Sequence, residues 1–194
     1  AIAKKREVFV SESIFIGSAA DRRAITIEMS PKKFGIYEVP NSNQLICSNH
    51  FQSEAYKKDK KNKTQIEESH SQYRFDRMTE LLGEQAQLTP QIAVNILRDK
   101  RGLDDKKIGY GNEKALNQLL AHHAVVFKPE ERLVWVSSNP YQLGAFVAYD
   151  LNKVFEKFEQ KDTINLISER NLLIKKDSFL YTKAYQNYEL FRDV

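Results

Sequence analysis

The sequence predicts an α+β fold, antiparallel sheets with helical cover. Three observations carry this. β-rich segments fill the chain to residue 51, apolar residues then recur at helical spacing within residues 69–120, and β-rich segments return over 121–150 before a mainly helical tail at 151–194. A length of 194 residues suits a single domain with a sizeable core. Nothing repeats at intervals of about 20 to 50 residues, which excludes a solenoid.

The elements follow in order. Residues 1–7 have helix-forming composition but no N-cap and no initiating Met, so the chain looks cut or processed from something longer. Val8-Phe9-Val10 and Ser13-Ile14-Phe15-Ile16 read as strands, and the stretch from Gly17 to Arg22 as a turn. Ala24 to Met29 alternates with period two and pairs with Phe34 to Val39 as a hairpin around Ser30-Pro31-Lys32-Lys33. Gln44 to Ser48 reads as a further strand. Ser69-x-x-Gln72 has capping-box spacing ahead of a helix over 73–84, in which Phe75, Met78, Leu81 and Leu82 share a face. Thr89-Pro90 opens a second helix with Ile92, Ala93, Ile96 and Leu97 on one side. Residues 112–120 suggest a short third. Residues 124–127 and 133–137 form a late hairpin, 145–150 adds a strand, and Ile164, Leu166, Ile167, Leu172, Leu173, Leu180 and the Tyr185, Tyr188, Phe191 set suggest helical cover.

Composition excludes several functions. With 11 Phe, 9 Tyr and one Trp the chain is not disordered, and no apolar run reaches the roughly 18 to 20 residues of a membrane span. The net charge of +4 is too mild to imply nucleic acid. Much of it sits at Lys57-Lys58-Asp59-Lys60-Lys61-Asn62-Lys63, which lacks apolar periodicity and reads as a solvated loop. Its other reading is a contact for an anionic partner of a non-catalytic module. No His-Glu-x-x-His, Cys-x-x-Cys, glycine-rich nucleotide loop or Gly-x-Ser-x-Gly elbow occurs, so neither a metal nor a cofactor is expected. His122-His123 would alternate faces in a strand. Cys47 sits among apolar residues, where burial would raise its thiol pKa and make it inert.

Asn49 and Arg74 carry the candidate chemistry. Asn49 stands where a β-rich segment runs out, a place from which an amide can point rigidly at a reacting carbonyl, or can simply begin a turn. Arg74 lies at the edge of the stripe holding Met78 and Leu81, flanked by Arg77, and calls for an anionic or carbonyl partner or a snorkelling exit to water.

Several of these segments together resemble the acyl-coenzyme A:6-aminopenicillanic acid acyltransferase family, peptidase family C45 of the N-terminal nucleophile (Ntn) hydrolases, relatives of choloylglycine hydrolase and penicillin V acylase. The carriers are Ser13-Ile14-Phe15-Ile16-Gly17-Ser18-Ala19-Ala20-Asp21, the run from Ala24 to Pro31, Leu45-Ile46-Cys47-Ser48-Asn49-His50-Phe51, Ser71-Gln72-Tyr73-Arg74-Phe75-Asp76-Arg77, and the late hairpin from His123 to Ser137.

The resemblance implies part of an αββα sandwich and acyl transfer from an amide or thioester substrate of small size. In that family a precursor cleaves itself before a cysteine whose thiol becomes nucleophile and whose α-amine becomes base; Asn49 then matches the oxyanion-hole asparagine and Arg74 the arginine near the nucleophile. Residue 1 here is Ala. The nucleophile is therefore expected on an N-terminal segment of the same precursor, with these 194 residues as its C-terminal part. Without that segment the chain is expected to be inactive, to leave apolar strand surface uncovered and to self-associate.

Overall fold

The computed structural model describes residues 3–5, 8–121, 123–158 and 167–192. The fold is α+β, with two antiparallel three-stranded sheets and five α-helices among the described residues. The chain gathers into two compact units, Ala1–Glu84 with Gly102–Lys106 and Gln85–Arg101 with Lys107–Val194. No helix among the described residues is long and apolar enough to cross a membrane.

The first unit is built on β1 (Glu12–Ser18), β2 (Arg23–Ser30) and β3 (Lys33–Tyr37), in that order. Ser13 pairs with Glu28, Phe15 with Thr26, and Glu28 with Gly35. Alternation puts these five on one face and Ile14, Ile16, Ile25, Ile27, Met29, Phe34 and Ile36 on the other. The fully inaccessible side chains, Thr26 and Glu28, are on the polar face, whereas on the other Met29 is buried but Ile14, Ile16 and Ile36 are exposed. The chain after β3 folds back over that polar face. Gly35 makes the close approach possible, because a Cβ there would lie 2.0 Å from Ser53 Oγ. Helices α1 (Lys60–Glu68) and α2 (Ser71–Gly83) follow.

Five sequence expectations are corrected in these units. Residues 8–10 form no strand and Phe9 is 98% exposed. Gln44 to Ser48 form no ladder; the segment lies irregularly, with Ile46 buried. The basic run is not a loop, since α1 starts at Lys60 with Asp59 as N-cap, its carboxylate accepting from Asn62 N. Ser69 does not cap α2: its hydroxyl donates to Gln65 O at the end of α1, and His70 takes the N-cap position in left-handed backbone (φ 37°). Residues 112–120 form no helix, because Asn112 and Asn117 spend their side chains on the local backbone, accepting from Lys114 N and Leu119 N.

The second unit holds β4 (Val125–Lys128), β5 (Leu133–Ser137) and β6 (Phe146–Asp150), antiparallel and in sequence order. Helix α3 (Pro90–Leu97) starts as expected, with Thr89 Oγ1 accepting from Ile92 N and Pro at the first turn. Its Val94 joins Ala124, Trp135, Phe146, Ala148 and Ile174 in one core. Arg98 ties this unit together, donating to the carbonyls of Gln142, Gly144 and Lys175 at 2.8–2.9 Å. The tail contains α4 (Leu151–Phe158) and α5 (Lys183–Arg192); Leu119, Leu143, Phe179 and Tyr185 form a second cluster. Ile164 and Leu166 lie outside the described residues, as does His122, while His123 is exposed ahead of β4.

Candidate functional site

The site grows from the stretch 47–53, which makes little regular structure and is instead held by side chains. Glu28 is its foundation. Its buried carboxylate accepts from Gln52 N at 2.6 Å and Ser53 N at 2.9 Å, so two backbone donors that lack a ladder are satisfied by one β2 side chain. Asn62 of α1 closes a two-sided bond with Phe51, accepting from its N–H and donating to its carbonyl, both at 2.8 Å. Ser71, fully buried at the start of α2, receives Ser48 Oγ on its carbonyl at 2.8 Å and meets His50 Nδ1 through its hydroxyl at 3.0 Å. His50 also packs on Phe75, ring centres 6.0 Å apart.

These clamps fix Asn49 between them. Its side chain is exposed, and Arg74 Nη2 in the first turn of α2 donates to its Oδ1 at 2.9 Å. An arginine carries donors only, so it claims the oxygen of the amide and leaves the two Nδ2 hydrogens to point elsewhere. The structure thus brings together Asn49 and Arg74, the two residues singled out from sequence. Arg77 goes elsewhere: it is 1% exposed and pairs with Glu80 at 2.9 Å and Asp105 at 3.0 Å, pinning residues 102–106 to α2. Ser71 and Arg77 are the buried residues of that helix; Phe75, Met78 and Leu82 are half-buried.

Asn49 lines a cleft of about 890 Å3 whose walls include Ser13 of β1, Lys32 of the β2–β3 turn, Cys47, and Lys60 and Lys61 of α1. Burial pushes the Cys47 thiol up from its ordinary pKa, outweighing the hydrogen bond from Ser13. Burial also pulls the His50 imidazole down, against the neighbouring charges of Glu28 and Asp76. Asp59 is held below the usual carboxylate range by Lys33, 2.6 Å away. The arrangement therefore offers a neutral thiol, a neutral imidazole engaged with Ser71, and an oriented amide donor. It lacks an activated nucleophile among the described residues.

Glu28, Asn62, His50 and Ser71 were missed as positioning groups. A signal for Glu28 was present, since the alternation over Ala24 to Met29 sets it beside Thr26 and opposite the isoleucine face. Asn62 and Ser71 carry no such signal, because each acts on backbone distant in sequence.

The family model described as acyl-coenzyme A:6-aminopenicillanic acid acyl-transferase matches residues 5–140, more than half of the chain and all of the cleft. No curated protein and no solved structure matches it.

Proposed function

Because the chain belongs to the acyl-coenzyme A:6-aminopenicillanic acid acyl-transferase family, we propose that its cleft is the oxyanion side of an acyl-transfer site. In this reading the 194 residues are the C-terminal part of an Ntn-type amidohydrolase or acyltransferase. The nucleophile is a cysteine on a preceding segment, freed by self-cleavage. Its α-amine, which titrates near neutrality, takes the thiol proton. The sulfur then attacks the acyl carbon of a small amide or thioester, and the carbonyl electrons move to oxygen. Asn49 donates from Nδ2 to that oxyanion while Arg74 holds Oδ1. Collapse expels the amine or thiol with the proton from the base, and water or an acceptor amine then resolves the thioester.

The observation that carries this reading is the hydrogen bond from Arg74 to Asn49, a residue that lines an open cleft. A donor amide whose oxygen is already engaged suits a preorganised oxyanion contact. Cys47 does not suit the nucleophile's part: its thiol is pushed up by burial, and no terminal amine accompanies it.

The test uses the chain alone and an activated acyl amide. The 194-residue chain should show no turnover, and the same chain with its preceding segment should show turnover and a covalent acyl adduct on that segment's cysteine. Hydrolysis by the chain alone that vanishes in Cys47→Ala would overturn the reading.

A further inference from the structure

The same cleft has a second wall that acyl transfer does not use. Helix α1 has no fully buried residue and its one apolar side chain, Ile66, is only half-buried, so the hydrophobic effect contributes little to its position. Polar contacts fix it instead, through the Asp59 cap, the Lys33–Asp59 pair and the Asn62–Phe51 clamp. That clamp sets α1 beside Asn49. Its first two residues are Lys60 and Lys61, with no acid in the first turn, although the positive end of a helix disfavours cations. Both line the cleft, together with Lys32 and Lys33. Among the described residues lining the cleft, Asp59 is the single carboxylate, and it is committed to Lys33 and to Asn62 N. Lys32, Lys60 and Lys61 are thus cleft-lining cations with no further carboxylate among the described lining residues to offset them. Like charges crowded around a concave surface focus a positive potential into it.

We propose that this lysine wall binds an anionic group, carboxylate or phosphate, carried by the substrate away from the acyl carbon held at Asn49. The substrate in this statement rests on the acyl-transfer reading, but the anion site itself does not. Recognition would be electrostatic and strongly weakened by salt. It would select acyl compounds with a charged far end over neutral ones of the same size.

Calorimetric titration of the 194-residue chain at low salt, with pyrophosphate and with glutarate as probes, tests this. At least one probe should saturate, and the Lys60→Gln/Lys61→Gln variant should bind it about tenfold more weakly. Saturation by pyrophosphate alone assigns the wall to phosphate, and by glutarate alone to carboxylate. Lys176→Gln, on the exposed surface of the other unit, should bind like the parent. The double variant should melt no lower than the parent, because its substitutions remove cations from the positive end of α1. Failure of both probes to saturate, or equal weakening in Lys176→Gln, would refute the anion site. That refutation leaves the acyl-transfer reading standing, since Asn49→Ala is tested on turnover. A chain that binds probe through Lys60 and Lys61 yet transfers no acyl group even with its preceding segment refutes the acyl-transfer reading alone.

Discussion

Arg74 Nη2 and Asn49 Oδ1 lie 2.9 Å apart although 25 positions separate them in the chain. Neither residue sits in a sheet ladder. Asn49 belongs to an irregular stretch and Arg74 to the first turn of α2, and their meeting depends on Ser71, which anchors both Ser48 and His50 to that same helix start. The bond is thus the visible end of a chain of polar contacts running from the sheet through 47–53 to α2.

Arg74 is expected to act through Asn49. In the proposed precursor that supplies the nucleophile, Arg74→Ala should lower turnover about tenfold, less than loss of Asn49 itself. The double variant should be no slower than Asn49→Ala alone, because the two effects share one route. Kinetics of the four proteins check this; additive losses would show that Arg74 works independently.

Glu28 should hold the site's backbone in place. Glu28→Ala leaves the N–H groups of Gln52 and Ser53 without their acceptor, at a cost of about 2–4 kcal/mol in urea unfolding. Gly35→Ala should also lower the midpoint, since its Cβ would meet Ser53 Oγ at 2.0 Å. Gly17→Ala, which meets open space, is the control. Glu28→Ala with an unchanged midpoint would show that 47–53 is held by other means.

His50 gives the first unit a pH dependence of definite sign. Burial lowers its folded pKa from the ordinary 6.5, so the unfolded chain takes up the proton first. The contribution to stability is complete above the ordinary value and is lost as pH falls from there toward the lowered folded value. His50→Gln, which can still meet Ser71, should flatten the fall in urea midpoint between about pH 7 and 5. An unaltered slope would place the acid sensitivity on other groups.

Strands were legible where one sheet face differs from the other, as in Ala24 to Met29, and where a short apolar run is bounded by turns, as in Leu133 to Ser137. Helix α3 was legible because Thr89-Pro90 is a local start signal acting on its own backbone. Helix α1 was not, since it has no fully buried residue and carries no apolar period for a sequence to display. Gln44 to Ser48 have strand composition, yet the carboxylate of Glu28 and the amide of Asn62 take the backbone groups just beyond them, where a ladder would have continued. The pairing of Asn49 with Arg74 came from the order of motifs shared with a family rather than from any periodicity. Only long-range contacts such as those of Ser71 and Glu28 make it happen, and these leave no pattern along the chain.

Turnover of Asn49→Ala, in the proposed precursor that supplies the nucleophile, bears most directly on the assignment of this cleft. Loss of one oxyanion donor predicts a kcat lower by about 10² to 10³. The urea midpoint should hardly change, because Asn49 is exposed and its bond to Arg74 is at the surface. Asn49→Asp should be as slow, since a carboxylate keeps Arg74 but offers the oxyanion no hydrogen. A kcat within about twofold of the parent for either variant, with folding intact, would contradict the assignment of this cleft to acyl transfer through Asn49.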